Sequence, residues 1–145
     1  MIVTMAKLGV PFYPLGGKCF LGAEDCVKAH VAAMTKGRSG QRYLLGYHNH
    51  SYQEILEKIA TVVGRKAPRL PMPTRAMKLA GRVGQLASRV DEHRFAGLEP
   101  MVLLSMQENR YRSGQKMVDE LGIQPKPIEE SIELAYIWFR ENGYC

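Results

Sequence analysis

The residues best suited to meet a small substrate lie in one glycine-flanked turn near the N-terminus. Gly16 and Gly17 precede Lys18, and Phe20 follows two residues later. Glycine lets the backbone adopt positive φ in a turn, a lysine ammonium attracts an anion, and an aromatic ring packs on a planar or apolar group. We therefore predict a substrate-binding wall at Gly17, Lys18 and Phe20. A turn that only feeds an edge strand would explain the same residues.

Motifs that mark a catalytic or cofactor site by themselves do not occur in the 145 residues. The sequence has no G-x-G-x-x-G or G-x-x-G-x-x-G dinucleotide loop, no Walker loop, no H-E-x-x-H, no G-x-S-x-G and no Tyr-x-x-x-Lys pair. We therefore expect no catalytic residue and no dinucleotide bound by this chain alone.

Metal binding is also not expected. His48 and His50 could supply two ligands, but no Asp or Cys lies nearby to complete the set, so an exposed polar loop explains them better. His30 lies on the apolar side of a predicted helix and is expected to pack in the core. The three cysteines, Cys19, Cys26 and Cys145, have no C-x-x-C spacing and are expected to be reduced thiols in a cytoplasmic protein.

The predicted turn leads into a strand and then a helix. Residues 18–21 alternate between polar and apolar, as a half-buried strand does. Glu24 or Asp25 can cap the following helix by accepting hydrogen bonds from its first amides. Apolar side chains then recur at i, i+4 and i+7, which predicts one packed helix face made of Val27, Val31 and Met34.

The rest of the chain reads as helices separated by short extended or turn segments. Residues 41–46 (QRYLLG) predict a strand and residues 47–50 a polar loop. Ser51 and Glu54 form a capping box before the next helix. Three prolines between residues 68 and 73 predict an extended connector. Further helices are predicted at about 1–8, after Pro73, at 99–106, at 114–121 and at 128–141.

The net charge of +6 lies within one segment, residues 65–94, which holds eight basic and two acidic residues. Such a segment can bind phosphate, nucleic acid or an acidic membrane surface. A solvated helix face is the simpler explanation, and the absence of interleaved aromatic residues makes nucleic-acid binding unlikely on this basis. No run approaches the ~20 apolar residues of a membrane span, and the length suits one domain.

Several segments together resemble the extended short-chain dehydrogenases/reductases, the NAD-dependent epimerase/dehydratase family. The resemblance is greatest to the dihydroflavonol-reductase-like branch and to sugar epimerases of the hopanoid-associated type. It lies, in the same order as in the family, in residues 17–30 (GKCFLGAEDCVKAH), 40–46 (GQRYLLG), 51–55 (SYQEI), 113–122 (SGQKMVDELG), 127–132 (PIEESI) and 138–144 (WFRENGY).

The resemblance implies an α/β fold, namely the mostly helical C-terminal portion of a Rossmann-type enzyme. Residues 1–145 would form a single substrate-binding lobe, without the N-terminal dinucleotide-binding domain that carries the glycine-rich loop and the Tyr-x-x-x-Lys pair. The complete enzyme would use NAD(P) on a nucleotide sugar or a polycyclic ketone or alcohol. This chain would be inactive without that half, and it would expose Val31, Leu44 and Trp138, which the half would cover.

Two other classes of function remain open from the sequence. The chain could be a non-enzymatic interaction module or a split subunit that completes a partner. It could also be a basic protein that binds nucleic acid or a membrane surface through residues 65–94.

Overall fold

The computed structural model describes residues 1–87 and 100–145, and these form seven helices and five short strands. The helices are α1 (Ile2–Leu8), α2 (Ala23–Lys36), α3 (Tyr52–Val63), α4 (Thr74–Ala87), α5 (Pro100–Ser105), α6 (Gln115–Leu121) and α7 (Ile128–Glu141). The strands are β1 (Phe12–Tyr13), β2 (Gly17–Phe20), β3 (His48–Ser51), β4 (Leu70–Pro71) and β5 (Asn109–Arg110). The predicted mostly helical α/β fold with a few short strands is confirmed.

Strand β2 lies at the centre of a three-stranded sheet. It pairs antiparallel with β3 and parallel with β5, in the order β3-β2-β5. This register places Lys18 beside His50 on one side and beside Arg110 on the other. The proline-rich connector is extended, as predicted, because its strand β4 pairs in parallel with β1.

The main core forms where α3 packs against α7 and α1. Buried side chains from all three helices meet there: Met5, Tyr52, Ile55, Leu56, Ile59, Ala60, Ile128 and Ile132. The predicted capping box fixes the start of α3, since the Ser51 hydroxyl accepts a hydrogen bond from the Glu54 amide and the Glu54 carboxylate accepts one from the Ser51 amide. Gly64 ends α3 with a left-handed φ of 69°.

A second core forms between α2 and α6, but it does not use the predicted face of α2. Ala29 is buried against Met117 and Leu121, whereas Val27, Val31 and Met34 are 63%, 58% and 87% exposed. The apolar stripe therefore exists at the predicted spacing but faces solvent. His30, predicted to be a core residue, is also exposed. The expected exposure of Leu44 and Trp138 is confirmed, together with that of Val31.

The strand predicted at residues 41–46 and the loop predicted at 47–50 are both wrong. Residues 41–47 have no regular secondary structure, and the strand β3 is His48–Ser51. The physical reason is pairing, because β3 lies along β2 with Phe20 opposite His48. Residues 41–46 have no partner strand among residues 1–87 and 100–145, so their strand propensity alone does not produce a strand.

Candidate functional site

The structure does not bring the three predicted wall residues to one place. Gly17 is buried in β2 between Ser51 and Asn109. Lys18 is exposed on the sheet, whereas Phe20 is half-buried and packs against the main core. Lys18 is thus the predicted residue whose side chain is placed to meet an ion.

The glycines Gly16 and Gly17 are needed for close packing and not for positive φ. Neither has positive φ, so the predicted turn conformation is wrong. A Cβ added to Gly17 would lie 2.5 Å from the Tyr111 ring, and one added to Gly16 would overlap the backbone of Glu108. The two glycines therefore let the segment that carries β5 lie directly against β2.

This close approach creates a small basic cavity beside β2. It has a volume of about 250 Å³, and its lining residues are Lys18, Cys19, Leu44, Leu45, Gly46, Arg110 and Arg112. Among the described residues, three cationic side chains and no carboxylate line it. Arg110 also lies 3.5 Å from the carboxylate of Glu108, outside the lining. The cavity walls thus favour an anionic ligand; we refer to this feature as the basic cavity.

Arg112 is held in place through its backbone. The Asn49 side chain donates to the Arg112 carbonyl at 2.9 Å and accepts from the Arg112 amide at 3.0 Å. The Cys19 thiol also donates to this carbonyl, at 3.5 Å. These bonds fix the main chain of Arg112, and its guanidinium donates to the Tyr111 carbonyl at 2.8 Å.

Cys19 is not arranged as a nucleophile. Burial raises the pKa of its thiol above the ordinary value, and this effect outweighs the lowering by the Arg112 carbonyl bond and charge. The thiol form therefore predominates at neutral pH, and thiolate is the reactive form. Its role in the cavity is to fill the wall beside Gly46.

Arg110, Arg112 and Asn49 were not predicted as site residues from the sequence. Arg110 and Arg112 are two residues apart, the spacing that places side chains on one face of an extended segment. That spacing was a usable signal. The position of Asn49 depended on the strand β3, which the sequence did not predict.

Two apolar cavities lie along α7. Each has a volume of about 370 Å³, and they share the lining residues Ala23, Ser131, Ala135 and Phe139. One includes Trp138 and Leu134, and the other includes Phe20 and Ile2. Phe20 therefore belongs to an apolar surface that is separate from the basic cavity.

Asp25 was predicted as a helix cap, but its bond is to a distant segment. Its carboxylate lies in the first turn of α2, is buried, and accepts a hydrogen bond from the Lys126 amide at 2.9 Å. Gly22 occupies the N-cap position. Asp25 therefore attaches the linker before α7 to the start of α2, which is a structural role.

The histidines make ordinary polar contacts. His48 Nε2 lies 2.8 Å from the Lys126 carbonyl, His50 lies 3.7 Å from the Glu54 carboxylate, and His30 Nδ1 lies 2.7 Å from the Cys26 carbonyl. Among residues 1–87 and 100–145, no three His, Cys, Asp or Glu side chains cluster as metal ligands do.

The described part of the basic segment spans the proline-rich connector and helix α4. Arg65 donates to the Ala6 carbonyl at 2.8 Å and so ties the connector to α1. Arg75, Lys78 and Arg82 are exposed on α4. Lys66 and Arg69 are exposed in the connector. The other charges of the segment, Arg89, Asp91, Glu92 and Arg94, lie outside the described residues, as does His93. Within the described ranges no helix is both long and apolar enough to cross a membrane.

Among the described residues, the start of α2 does not fit the pyrophosphate of a dinucleotide cofactor. The junction that comes nearest to a nucleotide-binding turn runs from β2 through Gly22 into α2. There a Cβ on Gly22 would overlap the Ser131 hydroxyl, and Glu24 and Asp25 place two carboxylates in the first helical turn. A pyrophosphate requires open backbone amides and the absence of negative charge at this point.

Comparisons with known proteins support the resemblance seen in the motifs. No protein-family model matches the chain. A dihydroflavonol 4-reductase-like protein of Synechocystis sp. is 29% identical over an alignment of 155 residues, gaps included, which covers 99% of this chain and 43% of that protein. Sterol demethylase protein B of Methylococcus capsulatus is 27% identical over 125 residues, which cover 86% of this chain and 38% of that protein.

Solved structures give the same alignment. The crystal structure of PA4631, a nucleoside-diphosphate-sugar epimerase from Pseudomonas aeruginosa, matches with a TM-score of 0.76 and 26% identity, over 99% of this chain and 42% of that one. The crystal structure of gox2253 matches in fold, with a TM-score of 0.74 and 23% identity, over 99% of this chain and 43% of that one.

The chain spans less than half the length of the relatives that it matches. The matched region is their C-terminal part. The chain is therefore similar to the C-terminal part of proteins named for dihydroflavonol reductase and nucleoside-diphosphate-sugar epimerase activities, and this similarity supports the resemblance that its motifs predicted.

Proposed function

We propose that this chain is the substrate-binding part of an NAD(P)-dependent oxidoreductase or sugar epimerase/dehydratase, and that it binds the diphosphate of a nucleotide sugar in the basic cavity. The observation that carries the proposal is the meeting of Lys18, Arg110 and Arg112 around one cavity, which no carboxylate lines within residues 1–87 and 100–145. The likeness to a solved nucleoside-diphosphate-sugar epimerase supports the same class of substrate.

A diphosphate suits these three side chains chemically. Arginine guanidinium groups donate two parallel hydrogen bonds to phosphate oxygens, and a lysine ammonium adds a point charge. Asn49 holds the backbone of Arg112 and the Tyr111 carbonyl holds its guanidinium, so part of the ordering cost of binding is met before the ligand arrives. Leu44 and Leu45 give the cavity an apolar wall, against which a sugar or base can pack.

The complete enzyme needs a second part for the reaction itself. NAD(P), when bound there, accepts or donates the hydride. In the family that the sequence resembles, the glycine-rich loop and the acid/base tyrosine belong to the upstream part of the enzyme. This chain holds and orients the substrate, and alone it is inactive.

Calorimetric titration with UDP-glucose tests this proposal. We expect saturable binding that weakens with salt, and a loss of about tenfold in affinity for Lys18→Gln or Arg112→Gln, because one charge-assisted hydrogen bond is removed. Arg75→Gln on α4 is the matched control, since it removes one exposed cation that does not line the basic cavity. It should bind UDP-glucose like the original protein. Equal affinity in all four proteins, or no binding at all, would contradict the proposal.

A polycyclic ketone or alcohol is the second candidate substrate, and the apolar cavities along α7 favour it. The relative named sterol demethylase protein B points to the same class. Trp138 is the one tryptophan of the chain and lines one of these cavities. Quenching of its fluorescence by progesterone, with no heat from UDP-glucose, would favour this candidate over the nucleotide sugar.

A further inference from the structure

A groove lined by cations and leucines lies between the end of α1 and the proline-rich connector. It has a volume of about 730 Å³, and its lining includes Leu8, Arg65, Lys66, Arg69 and Leu70. It shares no lining residue with the basic cavity. The groove is therefore a separate feature, and its combination of charge and exposed apolar side chains needs its own explanation.

Two leucines at this groove are exposed. Leu8, the last residue of α1, is 83% exposed, and Leu70, in β4, is 56% exposed. Each follows a cation in the sequence, Lys7 and Arg69, and both of these residues are exposed as well. Single exposed apolar residues are ordinary in proteins. Two of them at one basic groove form an apolar tip that is surrounded by positive charge.

The backbone on both sides of the groove is anchored. Arg65 donates to the Ala6 carbonyl at 2.8 Å and so holds the connector against α1. Strand β4 pairs with β1, where Leu70 lies opposite Phe12. Leu8 and Leu70 are therefore presented from main chain that is already ordered, which lowers the entropic cost of binding a partner there.

Helix α4 continues the same pattern and is attached to the same small sheet. It begins at Thr74, three residues after the end of β4. The Met72 amide, between the two elements, donates to the Tyr13 carbonyl of β1 at 2.8 Å. The Gln107 side chain donates to the Met72 carbonyl at 3.0 Å. The start of α4 is thus held next to the connector that lines the groove.

Helix α4 packs through one narrow face and leaves other apolar side chains exposed. Its buried positions, Met77, Gly81 and Gly84, follow the spacing i, i+4 and i+7. Leu79 and Val83 lie one turn apart from each other, and both are more than half exposed. The helix also exposes three cations, Arg75, Lys78 and Arg82. Exposed apolar side chains beside lysine and arginine are typical of helices that lie in the interface of a bilayer.

No acidic residue offsets these cations along the segment. Residues 58–90 contain eight basic residues and no acidic one. Within residues 1–87 and 100–145, no carboxylate lines the groove. A partner of this surface is therefore expected to be anionic, because a cluster of cations attracts negative charge.

The exposed leucines distinguish between the anionic partners that this charge attracts. Phosphates of a nucleic acid gain nothing from aliphatic side chains, and none of the described lining residues has an aromatic ring on which a base could stack. A second copy carries the same net charge of +6 and is repelled. The boundary between lipid headgroups and acyl chains offers negative charge and an apolar medium together.

We propose that this chain docks on the surface of a membrane that contains anionic lipids. The docking surface consists of the groove residues Lys7, Leu8, Lys66, Arg69 and Leu70 and of the exposed face of α4. The leucines enter the headgroup region, while the cations contact lipid phosphates. Docking needs neither the basic cavity nor a cofactor, so it is independent of the proposed function.

Sedimentation of the full chain with lipid vesicles is the first test. One preparation is phosphatidylcholine alone, and the other contains about 30% phosphatidylglycerol, which is anionic. We expect binding to the anionic vesicles that weakens as sodium chloride is raised, and little binding to the neutral ones. No binding to the anionic vesicles, or equal binding to both preparations, would overturn the proposal.

Two double variants test whether the charge must lie on this surface. Lys66→Gln with Arg69→Gln should lower the vesicle partition coefficient about 25-fold, which is about fivefold for each cation. The matched control is Arg42→Gln with Arg140→Gln, which removes the same charge from exposed residues outside the docking surface. The control should bind within about threefold of the original chain. Equal losses in the two double variants would mean that net charge governs binding, and would overturn the proposal.

A second pair of variants tests the apolar contact. Leu8→Gln should lower the partition coefficient about tenfold, because a leucine side chain no longer leaves water. Met34→Gln is the control, since Met34 on α2 is 87% exposed and lies outside the docking surface. It should bind like the original chain. Equal vesicle binding by the two variants would contradict docking through Leu8.

Competition with duplex DNA of about 20 base pairs tests the other anionic partner. At equal phosphate concentration the chain should stay on the anionic vesicles, and displacement by the duplex would assign the surface to nucleic acid and overturn the proposal. UDP-glucose titration of the groove variants separates this result from the proposed function. Their affinity for UDP-glucose should be unchanged, because none of the substituted residues lines the basic cavity.

Discussion

Single glycines decide how closely the segments around the basic cavity approach one another. A Cβ on Gly114 would overlap the Gly46 carbonyl oxygen, and a Cβ on Gly46 would lie 2.7 Å from the Cys19 sulfur. Together with Gly17, which lies against Tyr111, these positions set the width of the cavity. Packing therefore requires glycine at these positions, because a side chain would clash with the neighbouring segment.

Gly114→Ala should lower the free energy of unfolding by about 1–3 kcal/mol, the usual cost of overpacking a close contact. Urea denaturation followed by circular dichroism measures this. The control is Gly40→Asn, since Gly40 has φ of 75° in open space and asparagine tolerates that conformation. A Gly114→Ala protein as stable as the control would contradict the packing account.

The ion pairs of Glu24 predict a loss of stability in acid. Hydrogen bonds from Lys28 and then Lys126 lower the pKa of Glu24 to about 2 from its ordinary value of 4.5. Because the folded-state pKa is the lower one, this stabilisation is complete above about pH 4.5 and is lost as the pH falls toward 2.

Urea midpoints at pH 5.5 and pH 2.5 test this for the original protein and for Glu24→Gln. The variant should lose less stability between the two pH values than the original does. Glu141→Gln, at the exposed end of α7, should behave like the original. A Glu24→Gln protein with the full acid sensitivity would show that the ion pairs are not responsible.

At the level of elements, the capping box fixes the start of α3, and the four residues 51–54 were enough to predict it. Ser51 and Glu54 satisfy each other's backbone amides, and the strand β3 ends where this cap begins. Because the cap joins β3 to the main core, it also positions the sheet that carries Lys18.

Ser51→Ala should lower the free energy of unfolding by about 1 kcal/mol, the typical cost of losing an N-cap. Ser39→Ala, which alters an exposed turn serine, should change it by less than about 0.5 kcal/mol. Thermal denaturation of the two variants side by side makes the comparison. Equal melting temperatures would mean that the cap does not limit the stability of α3.

Elements defined by local signals were predictable, and elements defined by partners were not. Helix α3 begins at its predicted capping box and ends at Gly64, α6 ends at Gly122 as predicted, and α7 buries Ile128 and Ile132 of its predicted apolar face. Residues 41–46 and 48–51 exchanged their predicted states because pairing with β2 decided between them. Lys18 was predictable as a candidate ligand-binding cation, although it lies in β2 and not in a turn. Arg110 and Arg112 join it only through the parallel pairing of β5 with β2.

For the whole molecule, the apolar residues that face solvent are as informative as the cores. Val27, Val31 and Met34 have the spacing of a packed helix face and yet are exposed. The same is true of Trp138 on α7. Sequence periodicity predicted that Val27, Val31 and Met34 form one packed face, and the resemblance predicted that Val31 and Trp138 are covered by the upstream half of the family's enzymes.

The central claim is that this chain supplies the substrate site while the dinucleotide site lies elsewhere. The most direct measurement is a calorimetric titration of the chain with NADPH, under the conditions used for UDP-glucose. The account predicts saturable binding of UDP-glucose and, for NADPH, a Kd weaker than about 1 mM, because the described residues offer no cradle for the dinucleotide pyrophosphate. Micromolar binding of NADPH to the chain alone would contradict it.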